Sequence, residues 1–386
     1  MKISSANTIG LYLHFPFCLK RCSYCDFYSI PVSSPDLINQ YVESLITEIE
    51  LKAPNFQDRE IRTVYLGGGT PSLLSARQFS VLMDVLVKNF RLGTDLEISL
   101  EANPATLDEN KLKTYIKSGL NRISIGCQSF SDPELELLGR IHDVKQIYKT
   151  VDLINKAGLK DYNIDLIYGI PNQTVKQWLS NLEKAISLNP THISMYLLQL
   201  DPNTALGTKV INKEVLMLED EIEETMYSEA ISYLHEQGFK QYEISNFSKL
   251  GYRCQHNLVY WQAKEYLGLG AGAVSFLGNQ RCINNPQMAD YINYLQQGQK
   301  PGQEVLEVMN EKQLVEDAVI LGLRLTEGID IRQFNEAYAT DLLVKFKTPI
   351  EDSRAKKLLK IEDGFLKLTK KGYFLSNQVL CQFIGN

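Results

Sequence analysis

The chain has 386 residues, 44% of them hydrophobic, with a formal net charge of −6. That length predicts one large domain and a smaller one, or two to three by a prior of roughly 150 residues each, with a sizeable core. The acidic balance argues against a broad nucleic-acid surface. The opening MKISSANTIG lacks the apolar segment of a secretory signal, and no run of about 18 apolar residues suggests a transmembrane helix.

From Ile9 to about Leu200 strand-like and helix-like runs alternate. The strand-like runs are Gly10–His14, Thr63–Leu66, Leu96–Leu100, Arg122–Gly126, Tyr162–Tyr168 and His192–Leu198. Between them lie helical stretches at Pro35–Lys52, Ser75–Phe90, Thr106–Ser118, Asp143–Ala157 and Thr174–Leu188. Such alternation implies βαβ units on a parallel sheet. Six units predict an α/β fold, most of a β/α barrel, with the ligand site at the carboxyl ends of the strands.

After the first strand comes YLHFPFCLKRCSYCDF, Tyr12 to Phe27, with Cys18, Cys22 and Cys25 spaced C-x3-C-x2-C. An odd number of cysteines cannot all pair as disulfides. A structural zinc site asks for a fourth Cys or His; His14 is near in sequence but lies on the strand pattern, where it is expected to face the same site. A [4Fe–4S] cube held by three cysteines keeps one iron open to another ligand. The second strand ends in Gly67-Gly68-Gly69-Thr70-Pro71, a tight turn or a place where backbone meets a ligand. On the second reading, a side chain at Gly69 should block the ligand and spare the fold. The third strand ends at Glu101 in SLEANP, and the fourth in Gly126-Cys127-Gln128, with Arg140 soon after. The fifth carries Asp165 inside an apolar run, a costly position unless the carboxylate is paired or faces a site. Cys127, Cys254, Cys282 and Cys381 are scattered and read as free thiols, Cys127 as a core residue.

Lys213–Gln237 reads as a helix with an acidic, solvated face. YEISNF (Tyr242–Phe247), HNLVYW (His256–Trp261) and a glycine-rich stretch (Gly268–Ala273) follow. An imidazole, an amide and two large rings close together suit a flat aromatic ligand, although a buried, satisfied histidine among core rings is the commoner use. QGQKPGQ, residues 297–303, reads as a linker, and Glu311 to Phe383 as three helices, a hairpin turning at Asp363-Gly364, and a helix. The domains expected are residues 1–300, with cluster loop 12–27 and extension 200–300, and residues 304–386, mainly helical and winged-helix-like.

The cysteine spacing, with Tyr24 before the last cysteine, resembles the radical S-adenosylmethionine (SAM) signature. The resemblance implies a partial (β/α)6 barrel and a [4Fe–4S] cluster on Cys18, Cys22 and Cys25 whose open iron is chelated by SAM. LEANP, SIGCQSF, LGRIHD, NIDLIYGIPNQT, YEISNF and HNLVYW resemble the coproporphyrinogen-dehydrogenase-like branch over nearly the whole chain. That branch implies SAM contacts at Tyr12, Tyr24, Gly68, Gly69, Thr70, Glu101, Gln128, Arg140 and Asp165. It holds oxygen-independent coproporphyrinogen III dehydrogenases and heme chaperones. The dehydrogenases carry a fourth cysteine two residues after the third and a long N-terminal extension. Here Phe27 takes that position and 17 residues precede Cys18. The expectation is therefore a heme chaperone, with no catalytic residue assigned. Heme joins the cluster and SAM as a ligand, with His256, beside Asn257, Tyr260 and Trp261, as its candidate contact. Heme-accepting proteins and a reductant such as a flavodoxin or ferredoxin are the expected partners, in the cytoplasm and without nucleic acid. The lysines from Lys356 to Lys371 leave room for a peripheral membrane contact, and a homodimer is equally open.

Overall fold

The computed structural model describes residues 7–385. Strands β1 (Thr8–Phe15), β2 (Glu60–Gly68), β3 (Arg91–Ala102), β4 (Arg122–Gln128), β5 (Asp161–Tyr168) and β6 (His192–Leu197) lie side by side in chain order, all parallel. These are the six predicted strands. Apolar runs such as LYLHF in β1 and YNIDLIY in β5 bury most of their residues, as a parallel sheet packed on both faces requires, whereas β3 is buried only toward its end. The sheet is not closed. Strand Asn246–Ser248 runs antiparallel against β6. On the other side, strand Tyr266–Leu269 pairs parallel with β1 and leads to three antiparallel strands that end with Gln303–Val308.

Local sequence starts the covering helices sharply. Ser75 with Gln78, Asp143 with Gln146 and Thr174 with Gln177 form reciprocal capping boxes at the helices Ala76–Asn89, Val144–Lys156 and Val175–Ser187. Each such cap contributes about 1 kcal/mol by satisfying amides that lack a helical partner. The first helix, Pro35–Lys52, is pinned by a fully buried carboxylate. Glu48 accepts from the Gly270 amide, Tyr291 Oη and Asn284 Nδ2, each at 2.7 Å, and pairs with Lys52 at 2.7 Å. A charge taken out of water needs that many partners. The result fastens the later part of the chain to the back of β1.

The stretch 297–303, expected as a linker, leads into the edge strand Gln303–Val308 of the large sheet. The helical C-terminal region follows from Glu311, with its own core around Phe346, Leu366 and Phe383. Its hairpin, Leu359–Glu362 with Phe365–Leu368, turns through Asp363 and Gly364, both at positive φ. The short strand Ile329–Asp330 adds a third member. Arg324 ties this region to the rest, lying 4.4 Å from the Trp261 ring centroid and 3.6 Å from Glu243. No helix among the described residues is long and apolar enough to cross a membrane.

Candidate cluster and cofactor site

A cavity of about 550 Å³ opens at the carboxyl ends of the parallel strands. Cys18, Cys22, Cys25, Tyr24, Gly68, Gly69, Thr70, Glu101, Gln128, Arg140 and Asp165 all line it. Of the residues expected to hold the cluster and SAM, Tyr12 alone does not. Its hydroxyl bonds to His14 Nδ1 at 2.9 Å and its ring stacks behind Tyr65 at 6.3 Å.

The cysteine loop is held by backbone bonds. The Gly69 amide donates to the Phe15 carbonyl at 2.8 Å, and Val32 N to the Cys18 carbonyl at 2.9 Å. A Cβ on Gly69 would fall 2.6 Å from the Phe17 carbonyl oxygen, and one on Gly68, at φ +111°, 2.5 Å from the His14 ring. The glycines thus let the end of β2 press against the loop that carries Cys18. This corrects the expectation that a side chain at Gly69 would spare the fold. His14 points at Tyr12 and at the Tyr28 carbonyl, 3.3 Å away, and does not line the cavity.

The thiols have polar neighbours. Thr70 Oγ1 lies 3.6 Å from Cys18 Sγ and Arg140 Nη1 lies 3.3 Å from Cys22 Sγ. Burial pushes the Cys18 and Cys25 thiols up; a bound metal cation reverses that preference. Among the described residues no three His, Cys, Asp or Glu side chains converge tightly enough for one metal ion. A cube distributes its ligands over separate irons. It asks for thiols around a shared space, which Cys18, Cys22 and Cys25 provide.

Two carboxylates face the same space. Glu101 accepts from Tyr65 Oη at 2.9 Å and from the Gly68 amide at 3.1 Å. Burial, with Asp165 adding, pushes its carboxyl up to about 7 against those two hydrogen bonds. Asp165 accepts from Ser124 Oγ at 2.8 Å and Asn163 Nδ2 at 2.7 Å, and burial raises it too. Gln128 stands at φ +69° where the pairing of β4 with β5 shifts register. Arg140 donates from Nη2 to the Gly126 carbonyl at 2.7 Å.

Sequence reasoning missed Tyr65, Ser124, Asn163, Ser194 and Tyr196 in the lining. A signal was present: Ser124 stands two residues before Gly126 and Asn163 two before Asp165, on the same face of strands otherwise apolar. Cys127 is fully buried in the core, as expected.

HNLVYW forms the helix Gln255–Trp261, whose first amides donate to Glu97 at 2.8 and 3.0 Å. Asn257 lines the cavity. His256 is 1% exposed, with Nδ1 2.8 Å from Thr63 Oγ1 and Nε2 2.8 Å from Tyr260 Oη. Burial, and secondarily Arg122, pushes it down to about 3. In this conformation His256 offers no nitrogen to a heme iron. Trp261 is equally engaged, under Arg324. The motif acts as a joint between sheet, cavity and C-terminal region, with His256 in the commoner use, a buried histidine satisfied on both nitrogens, rather than as the expected heme contact.

Two family models match: the Radical SAM superfamily over residues 12–185 and the HemN C-terminal domain over residues 309–375. The heme chaperone HemW of Bacillus subtilis is 34% identical over 375 residues, covering 97% of this chain and 98% of that protein. The heme chaperone HemW of Lactococcus lactis is 33% identical, covering 97% and 96% respectively. Among solved structures, the coproporphyrinogen III oxidase (HemN) of Escherichia coli, a radical SAM enzyme, aligns with a TM-score of 0.85 at 24% identity, over 98% of this chain and 90% of that one. That last likeness bears on the fold alone. On the strength of the full-length relatives, the chain belongs to the heme chaperone HemW family of the radical SAM superfamily.

Proposed function

We propose that this protein is a heme chaperone that carries a [4Fe–4S] cluster and SAM, binds heme and passes it to acceptor proteins. The observation that carries this reading is the similarity to heme chaperones over 97% of the chain. Cys18, Cys22 and Cys25 hold the cluster. Glu101 and Asp165 accept hydrogen bonds from hydroxyl or amine groups of SAM. Gly68, Gly69, Thr70, Tyr24, Gln128 and Arg140 wall its pocket. The bound pair supplies one-electron chemistry. The hydrogen bonds of Thr70 and Arg140 to Cys18 and Cys22 withdraw charge from the sulfurs, a means of tuning such a centre.

The alternative is oxygen-independent coproporphyrinogen III oxidation, supported by fold likeness. Against it stands Phe27, 66% exposed at the cavity mouth, where the dehydrogenases carry their fourth cysteine. The proposal extends to a flavodoxin- or ferredoxin-type reductant, a cytoplasmic site of action and a homodimer. It also extends to a peripheral contact of exposed Lys356, Lys357, Lys360, Lys370 and Lys371 with an anionic membrane.

One anaerobically reconstituted sample tests the reading in two assays. Heme titration should saturate, and coproporphyrinogen III should not turn over with any reductant. Multiple turnovers would establish the alternative instead. Failure to bind heme would remove the chaperone reading.

A further inference from the structure

Behind the cavity wall lies a buried polar cluster that touches neither the cysteines nor the lining carboxylates. Its centre is Glu134, 8% exposed, on the short helix Asp132–Leu137. Around it are Ser129, Gln173 and Asn181, each at most 3% exposed. One carboxylate oxygen, Oε2, accepts from Ser129 Oγ, from Asn181 Nδ2 at 2.8 Å and from Gln173 Nε2 at 3.1 Å. The other, Oε1, is buried with no partner.

A carboxylate only accepts hydrogen bonds, so it dictates the orientation of both amides. Each turns its NH2 toward Glu134 and its carbonyl oxygen outward. Asn181 Oδ1 then accepts from the Phe130 amide at 2.9 Å, in the loop after β4. Gln173 Oε1 accepts from the Gly169 amide at 3.1 Å, in the loop after β5. Ser129 Oγ, held by Glu134, accepts from the Ser131 amide at 3.0 Å. One buried carboxylate therefore sets the backbone of two loops that lie beyond the last pair of β4 and β5, Gln128 with Leu166. The first loop continues directly from Gln128 and the second begins two residues after Ile167, at the end of β5; both residues line the cavity.

We infer that Glu134 is a positioning residue that locks the loops after β4 and β5 so that Gln128 and Ile167 meet SAM in fixed register. The inference rests on the reading that this cavity binds SAM. It assigns Glu134 no contact with the cofactor.

Hydrogen exchange on the SAM-free protein tests the lock, and SAM titration of the cluster-loaded protein tests its purpose. Glu134→Leu should speed exchange in both segments, 127–131 and 169–174. Gln173→Leu should speed it in 169–174 alone. Glu134→Gln, whose amide oxygen can replace Oε2 while its NH2 takes the empty side, should change neither. The SAM dissociation constant should rise about tenfold in the two leucine variants and stay within about threefold in Glu134→Gln, at unchanged cluster absorbance. Faster exchange in one segment only for Glu134→Leu would overturn the inference. So would loosened loops with wild-type SAM affinity. Should Glu134→Leu fail to fold, Gln173→Leu decides by the same two measurements. If the wild type itself binds no SAM, the parent reading fails, while the exchange data still decide whether Glu134 locks the two loops.

Discussion

The guanidinium of Arg140 bridges Cys22 Sγ, 3.3 Å from Nη1, and the Gly126 carbonyl, 2.7 Å from Nη2. One half-buried cation thereby joins the cysteine loop to the end of β4. On the proposed reading it would supply the positive charge that an anionic cluster and the SAM carboxylate need. Arg140→Met should keep the fold. It should weaken SAM binding at least about tenfold, the scale of a lost charge-assisted bond, and hasten bleaching of the cluster. Titration and the decay of visible absorbance measure both; wild-type values in each would remove Arg140 from the site.

The three loop cysteines should be separable from the others. Cys18→Ser, Cys22→Ser or Cys25→Ser should each abolish the [4Fe–4S] absorbance after anaerobic reconstitution. Cys127→Ser, Cys254→Ser, Cys282→Ser and Cys381→Ser should retain it, since none of these thiols lines the cavity. A scattered cysteine as necessary as the three would overturn the three-thiol assignment.

Gly69→Ala should damage cluster assembly. The new methyl would sit 2.6 Å from the Phe17 carbonyl oxygen and 2.9 Å from the Pro16 carbonyl carbon, so the loop must move off β2. Overpacking of this kind costs about 1–3 kcal/mol. Gly302→Ala, whose nearest neighbour would be 3.7 Å away, is the control. Iron content per chain is the measurement, and equal iron in both variants would contradict the steric account.

The pH dependence should trace to Glu101. Its carboxyl, raised to about 7, is the stronger acceptor for SAM's amine or hydroxyl groups when ionised, so binding should strengthen as pH rises through about 7. For the SAM-free fold the sign is opposite. A raised folded pKa means the proton is held more tightly when folded, so that contribution is full below about 4.5 and lost as pH rises through about 7. Glu101→Gln should flatten the SAM profile. A profile as steep as the wild type's would assign the titration to another group.

His256→Ala should act on stability and spare heme. Thr63 Oγ1 would be left buried without its partner, at a cost of about 1–3 kcal/mol, and half-buried Tyr260 Oη would lose its partner too. Denaturant unfolding should show the loss, while the Soret band of the heme complex stays in place. A moved Soret band at wild-type stability would make His256 the heme ligand, through a conformation in which Tyr260 swings away.

The chemistry and its address are written in local patterns. Three cysteines at C-x3-C-x2-C, six apolar strands separated by capped helices, and polar residues at strand ends are all short-range features, and a βαβ repeat converts strand ends into one face of a sheet. Asp165 was legible because a charge inside an apolar strand is too costly to keep unless it is paired or faces a site. Which group faces which emerges only when the chain packs. Period-2 alternation assigns Tyr12, His14 and Gly10 to one side of β1, yet only packing shows Tyr65 lying between Tyr12 and the cavity. Both nitrogens of His256 are filled by residues 193 positions earlier and four later in the chain, and no short-range pattern encodes the first. No local pattern in SDPELE marks Glu134, whose carboxylate is buried because Gln173 and Asn181, 39 and 47 positions on, close over it. Local spacing encodes which groups a site contains; long-range packing decides which of them remain free to bind.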